Sequence, residues 1–433
     1  MLAKNTSSLN GQVLCPGDKS ISQRSVIIGS LINKEITISG FLHGDDPIST
    51  LNALNTIGAN ISIEDGDVKL SNREIPFKNP LTPINLDNSG TGMRLMMGLI
   101  SGLGLEAELI GDNSLMKRPM KRVSIPLNEM GADIKTIDGL PPVHIITKTL
   151  NDNFVYEMPI ASAQVKSAII LAGVASNKKV SVFEPAITRD HTEIMLEYFG
   201  LNIESKEING GKQITFIPGN SFQQKNYDVV GDFSSASFLI VAGLIAKNST
   251  ITIKNVGLNP TRCGLISILK EMGANIEVSN KIFKCGEKAG DLIVKSSQLK
   301  GINIGGDIIP NIIDEIPILS IAAACAEGIT KISDAKELRV KESDRLEAIA
   351  MGLNALNVKH SLYDDGISIT GGIPETDDLI EIDSFGDHRI AMSFLISSLK
   401  IGGGVCVKDC KNIYTSYPNF VQTMNDLGME ISE

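Results

Sequence analysis

Apolar residues recur along this chain in two alternating patterns. The first is a helical spacing that ends in a glycine and then a strand, as in Leu265, Leu269 and Met272, or Leu346, Ile349, Leu353 and Leu356. Six such segments, residues 54–63, 127–134, 196–203, 269–278, 353–360 and 424–431, recur roughly every 70 residues, a longer period than most solenoid repeats have. The glycine after each helix is expected to close it in the left-handed conformation, and Asn357 takes that place once.

Between these segments lies the second pattern, a short strand, a polar cap and a helix of small apolar residues. It recurs at residues 87–92, 159–164, 231–236, 306–307 and 386–389, and residues 13–20 (VLCPGDKS) read as the same unit. The helices it predicts, at 25–31, 95–103, 167–174, 235–246, 316–326 and 390–399, are apolar on nearly every face and so belong inside a domain with sheets outside. The sixth repeat breaks off at Glu433, and the strand around Leu9 to Val13 is expected to complete it. The chain then forms an α/β protein of two sets of three repeats: a continuous domain, 19–231, and a discontinuous one, 1–18 with 232–433. If all six helix N-termini face a common cleft, their partial positive charges favour a small, multiply anionic ligand there.

Composition narrows the function. A chain of 433 residues that is 42% hydrophobic supplies enough apolar surface for two cores. The first ten residues lack the apolar run of a signal peptide and no later stretch is long enough to span a bilayer, so a cytoplasmic protein with no membrane partner is expected. Six dispersed cysteines match no common zinc spacing and read as free thiols. A formal net charge of −10 argues against nucleic-acid binding, so clustered Arg and Lys need another explanation.

Asp18, Asp87, Asp232, Asp307 and Asp387 recur with the repeat and are read as helix caps. Charges that break the repeat carry more information. Lys19, Ser20 and Arg24 surround one helix start, where cations are unfavourable without an anion nearby, and this points to anion binding. Gly90, Thr91 and Arg94 repeat that arrangement, with glycines that let backbone amides approach a phosphate. The run Lys117, Arg118, Lys121 and Arg122 reads as an exposed face in which Pro119 aims one Arg inward. Ser162, Gln164 and Lys166 either contact a polyhydroxy ligand or cap the third helix. Asp314 and Glu315 read as caps, and Arg339, Lys341, Glu342, Asp344 and Arg345 as a charged helix start, unless they face the cleft. His388 and Arg389 add cations at the last helix mouth.

In these same places the sequence resembles the 5-enolpyruvylshikimate-3-phosphate synthase family, an enolpyruvyl transferase family. The motifs PGDKSISQR, NSGTGMR, MKRPM, ASAQVKSA, TRDHTE, IIDEIP, RVKESDRL and GDHRIAMSF occur in the family's order over the whole chain. The resemblance implies two inside-out domains, each of three βαβαββ units, with the active site in the cleft between them. It also implies transfer of the enolpyruvyl group of phosphoenolpyruvate to the 5-hydroxyl of shikimate 3-phosphate, in the shikimate pathway of aromatic amino-acid biosynthesis. Lys19, Gly90, Arg94, Arg118, Gln164, Arg345 and Arg389 are then expected around phosphoenolpyruvate. Lys19, Ser20, Arg24, Ser162, Ala163, Gln164, Arg189, Asp314 and Lys341 are expected around shikimate 3-phosphate. Asp314 is implied as the base at the 5-hydroxyl, Glu342 as the acid at the methylene, and Lys19 as a third catalytic group. No cofactor or metal follows from such chemistry, and a monomer is expected.

Two departures stand out. Residues 413–418 lack a Lys that many members carry before the final aromatic-Pro pair, and Ala163 stands where those members have a second Ser. These features resemble the subgroup that includes glyphosate-insensitive enzymes, whereas the retained Gly90 favours a glyphosate target. The related transferase acting on UDP-N-acetylglucosamine typically opens with Lys-Asn and carries a loop Cys in its second repeat. Here the pair is Lys19-Ser20, and no Cys lies between Cys15 and Cys263.

Overall fold

A computed structural model describes residues 1–208 and 210–433, and among them the strands form six four-stranded sheets. The chain divides into two compact units. The N-proximal unit is Gly17–Val229 with Lys284–Glu287, and the C-proximal unit is Met1–Pro16, Val230–Phe283 and Lys288–Glu433. These limits lie two residues from the sequence-based ones at each end of the continuous segment. The four residues 284–287 group with the N-proximal unit because they pack on its last helix and on the strand Tyr227–Asp228. Glu287 accepts from His191 Nδ1 at 2.7 Å, Lys284 pairs with Asp228 at 2.8 Å, and a Cβ at Gly286 would lie 2.8 Å from Ile194.

The N-proximal unit carries helices α1 (Lys19–Ile32), α2 (Asp45–Thr56), α3 (Gly90–Leu103), α4 (Lys121–Glu129), α5 (Ala163–Ser176) and α6 (His191–Tyr198). The C-proximal unit carries α7 (Phe233–Ile245), α8 (Gly264–Glu271), the single turn α9 (Ile309–Ile312), α10 (Ile316–Ala324), α11 (Arg345–Ala355), α12 (His388–Ser397) and α13 (Phe420–Asp426). The second repeat shows the plan. Ile84–Asn85 lies parallel to Ala107–Ile110, with α3 between them in sequence; after α4 the chain returns as the hairpin Asp133–Ile137 and Leu140–Ile146, whose second strand pairs with Ala107–Ile110. The other five sheets have the same spatial order.

Two strands are exchanged between the first and fourth repeats. Asn10–Leu14 joins the sheet of the fourth repeat beside Thr250–Gly257, and Tyr227–Asp228 joins that of the first beside Ile36–Ser39. The expectation that residues 9–13 complete the sixth repeat is therefore corrected. Leu2–Lys4 does so, lying antiparallel between Val405–Lys408 and Glu430–Ser432. A strand of three residues with one inward side chain, the fully buried Ala3, carries too little alternation to be recognised in sequence.

The predicted helix endings are present in all six outer segments. Gly58, Gly131, Gly200, Gly273 and Gly428 have φ between 91° and 107°, and Asn357 has φ 54°. The amide after each bonds back to a carbonyl in the last helical turn, for example Ala59 N to Leu54 O at 3.0 Å and Val358 N to Leu353 O at 2.9 Å, which is the Schellman closure. The inner helices are buried as their composition requires, and α7 is buried at every residue. In the N-proximal unit α3 meets α5 through glycines: a Cβ at Gly98 would lie 2.1 Å from Ala168 O, and one at Gly102 2.5 Å from Ala172 O. Among the described residues, no helix is long and apolar enough to cross a membrane.

Candidate active site

Within each unit the first turns of the inner helices bond to one another, so their N-termini share one end of that unit. Asp18, Asp232 and Asp387 cap α1, α7 and α12, accepting from Ile21 N at 2.8 Å, Ser234 N at 2.7 Å and Arg389 N at 2.8 Å. Two of the five predicted caps are corrected. Ser89 caps α3, because Asp87 adopts a left-handed backbone (φ 49°) two residues earlier, and Asp307 falls inside a short 3-10 turn, Gly306–Ile308. Asp314 and Glu315 make no cap either, since both side chains are drawn to arginines.

In the N-proximal unit the inner helix mouths are joined by a polar network. On α1, Gln23 Nε2 donates to Ser89 Oγ at 2.6 Å. Arg24, buried beside it, donates to Thr192 Oγ1 (2.7 Å), Ser167 Oγ (3.1 Å) and the Ser20 carbonyl (3.0 Å). Burial pushes the Arg24 guanidinium down to about 10, against the opposing pull of Glu193 and Asp18, and Arg189 adds to the drop. On α3, Arg94 donates to Gln164 Oε1 (2.8 Å) and the Pro119 carbonyl (3.1 Å), while Gln164 Nε2 donates to Thr91 Oγ1 at 2.9 Å. Arg118 is the inward arginine of its run: a Cβ at Gly90 would lie 2.5 Å from its Nη1, whereas Lys117 and Lys121 are exposed. Ser162 and Ala163 begin α5, with Val165 N only 3.5 Å from Ser162 Oγ. Arg189 precedes α6, half-buried.

Two cations behave differently from the sequence reading. Lys19 pairs with Asp46 in the first turn of α2 at 2.8 Å, so the fold itself supplies the anion that its position requires. Lys166 is fully buried between Glu184 (3.0 Å) and Glu193 (2.7 Å), which excludes it from ligand contact. Burial works to neutralise this lysine, but the two carboxylates outweigh it and raise its pKa.

In the C-proximal unit, Arg345 is the hub. Buried at the start of α11, it pairs with Asp387 through Nε at 2.7 Å, Glu342 through Nη2 at 2.6 Å and Asp314 through Nη1 at 3.3 Å. Burial opposes its charge, yet Asp387, Glu342 and Asp314 together hold its pKa above the ordinary arginine value. Half-buried Lys341 lies 4.0 Å from Asp314 and 3.7 Å from Glu337, and burial lowers its pKa against both acids. Arg389, on α12, donates to the Asp314 carbonyl at 2.9 Å and lies 3.7 Å from Glu315. Arg339 is turned away to Asp344 (2.8 Å) and to the carbonyls of Asp364 and Tyr363. Sequence reading missed Asp387 as a charge partner, because its cap role already accounted for it, and missed Asp46, Thr192, Ser167 and Arg262 altogether. Nothing in their local sequence sets these residues apart.

Chemically, each unit presents several cations with a limited set of carboxylates at its helix mouths, an arrangement suited to phosphate and carboxylate ligands. Comparison with known proteins decides what kind. Residues 3–424 match the family model described as EPSP synthase (3-phosphoshikimate 1-carboxyvinyltransferase). The chain belongs to the EPSP synthase family. Among curated relatives, the 3-phosphoshikimate 1-carboxyvinyltransferase of Ruthia magnifica subsp. Calyptogena magnifica is 44% identical over 432 residues, covering 100% of this chain and 98% of that one. A solved EPSP synthase from Acinetobacter baumannii is 39% identical, with a TM-score of 0.86 over 100% of this chain and 99% of its own. The enolpyruvyl transferase NikO from Streptomyces tendae, at 17% identity and a TM-score of 0.78, covers 100% of this chain and 97% of its own and shares the fold. The two-unit architecture described above is thus that of the EPSP synthase family and its enolpyruvyl transferase neighbours.

Proposed function

We propose that the helix-mouth residues of both units serve one reaction, the transfer of the carboxyvinyl group of phosphoenolpyruvate to the 5-hydroxyl of shikimate 3-phosphate. The activity is that of a 3-phosphoshikimate 1-carboxyvinyltransferase of the shikimate pathway. The observation that carries the residue assignment is the attachment of two carboxylates, Asp314 and Glu342, to the single guanidinium of Arg345. The chemistry needs two proton-transfer groups. Asp314 accepts the 5-hydroxyl proton as the oxygen bonds to C2 of phosphoenolpyruvate, and Glu342 delivers a proton to the methylene carbon, making a methyl group. The tetrahedral ketal phosphate then loses phosphate as Glu342 takes the methyl proton back and Asp314 passes its proton to the departing phosphate oxygen, leaving the enol ether and both carboxyl groups in their starting states.

Arg94, Arg118, Arg345, Arg389, Gln164 and the backbone at Gly90 hold phosphoenolpyruvate in this reading. Ser20, Arg24, Ser162, Ala163, Gln164, Arg189, Asp314 and Lys341 hold shikimate 3-phosphate. Lys19 lies by both, leaving Asp46 as substrate anions arrive. A cation clamp of this kind stabilises the charge that develops on the departing phosphate. The side chains named here suffice for these steps without a cofactor. Six cysteines present as thiols and the acidic net charge support a cytoplasmic enzyme with no nucleic-acid partner.

Purified protein given phosphoenolpyruvate is expected to release phosphate with shikimate 3-phosphate as acceptor and not with UDP-N-acetylglucosamine. The reverse preference, or silence with both, would overturn this reading. The packing of Arg118 on Gly90 gives a sharper test. Gly90→Ala places a methyl within 2.5 Å of the guanidinium, which must move. KM for phosphoenolpyruvate is expected to rise about tenfold with KM for shikimate 3-phosphate unchanged, the pattern of lost ground-state binding to one substrate. Steady-state kinetics with each substrate varied would show it.

A further inference from the structure

Beneath Asp314 lies a buried ionic cluster that the proposed chemistry does not use. Arg262 is 3% exposed and sits in the loop before α8. The loop is clamped at several points: Arg262 N donates to Asn259 O (2.9 Å), Thr261 N to Asn259 Oδ1 (2.9 Å), and Asn311 bridges Pro260 O (2.7 Å) and Gly264 N (2.8 Å). Its guanidinium donates to Ser234 Oγ at 2.7 Å and pairs with Asp232 at 3.2 Å and Glu315 at 3.5 Å. Ser234 Oγ in turn donates to Glu315, which is fully buried. The same guanidinium lies 3.8 Å from Oδ2 of Asp314, while Oδ1 of Asp314 is held by Arg345 at 3.3 Å.

We propose that Arg262 is a positioning residue for Asp314, setting the rotation of its carboxylate and keeping it ionised for proton acceptance. This rests on the reading of Asp314 as the proton acceptor. Arg345 reaches Asp314 at Oδ1 and is shared with Glu342 and Asp387. A second cation 3.8 Å from the opposite oxygen biases rotation of the carboxylate about its last bond, and a guanidinium suits this because its Nη2 is anchored by Ser234 and Asp232 while its Nη1 faces Glu315 and Asp314. The charged groups around Asp314 are Arg262, Lys341, Arg345 and Arg389, against Asp232, Glu315, Glu342 and Asp387. Removing Arg262 therefore tips a nearly balanced cluster toward negative charge, with Glu315 unable to leave the interior.

The test compares Arg262→Gln, Arg262→Lys and Asp314→Asn in the full chain, with the double variant Arg262→Gln/Glu315→Gln preserving charge balance should the single variant fold poorly. For Arg262→Gln, or for the double variant in its place, kcat is expected to fall at least about tenfold with both KM values within about threefold of the parent. In Arg262→Gln the acidic limb of the kcat–pH profile should move up by about one pH unit, since a nearby cation favours an ionised carboxylate, whereas in the double variant, which loses one charge of each sign, the limb should stay in place while kcat still falls. Arg262→Lys should restore the limb. An unmoved limb in Arg262→Gln, parental kcat in the double variant, or a loss confined to KM would overturn the proposal. Near-parental turnover in Asp314→Asn would instead sink the reading of Asp314 beneath it, whereas an inactive Asp314→Asn beside an unaffected Arg262→Gln rejects only the role of Arg262.

Discussion

Glu342→Gln is expected to reduce turnover by roughly 10³-fold, within the range that a positioned general acid–base group contributes, while leaving the binding of both substrates within a few-fold of the parent. The substitution keeps the shape of the side chain and an oxygen that can still accept from Arg345, whose Nη2 lies 2.6 Å from Oε2 of Glu342. What it removes is the exchangeable proton. In an addition–elimination reaction that proton is used twice, once to make the methyl group and once, in reverse, to remake the double bond, so both half-reactions should slow. Trp is absent from the chain, so calorimetric titration rather than Trp fluorescence is the natural binding measurement, with phosphate release as the measure of turnover. Turnover within tenfold of the parent would show that another group protonates the methylene. Loss of binding and turnover together would show that Glu342 acts by holding Arg345.

The second large effect is on stability. Arg345→Met should cost about 3–5 kcal/mol, because the variant leaves Asp387, Glu342 and Asp314 facing one another with their shared cation gone. For a unit of this size that corresponds to a fall in Tm of roughly 10 °C by calorimetry. The sign of the pH dependence follows from the charges. In the parent, Arg345 stays protonated over the whole working range, its pKa being held up by the three acids, so its own titration contributes nothing there. In the variant the crowded carboxylates take up protons more readily, and protonation relieves their repulsion. The deficit should therefore be largest near pH 8 and shrink toward pH 5. Adding Asp387→Asn to Arg345→Met should recover part of the loss, since Asn still caps α12 while removing the buried charge. A deficit that is the same at both pH values, or that Asp387→Asn deepens, would mean that lost packing rather than charge is responsible.

Arg345 and Asp387 also mark where sequence reading stops. Asp387 was recognised as a cap because the partner amides are two and three residues away, at Arg389 and Ile390. Its bond to Arg345 spans 42 residues and joins two helices, and no spacing rule reaches that far. Lys166 shows the converse. Its place at the start of the third inner helix left ligand contact and capping equally open, and only the fold reveals Glu184 and Glu193 closing over it. Lys19 lies between these cases: the cation at a helix mouth was correctly read as needing an anion, but Asp46 of the next helix already provides one.

What the sequence determined by itself is whatever depends on residues within a turn or two of each other. The sixfold repeat, the buried inner helices, the left-handed closures at Gly58 through Gly428 with Asn357 among them, and three of the five aspartate caps are of this kind. Backbone sterics and the helical period act locally and leave a periodic trace in the residues. Tertiary structure alone decided which strand closes which sheet, with Leu2–Lys4 and Asn10–Leu14 going to different repeats, and which acid neutralises which base at the helix mouths. Those choices follow from pairing energies between segments far apart in the chain. A charge or a short strand has much the same local signature whichever distant partner it meets.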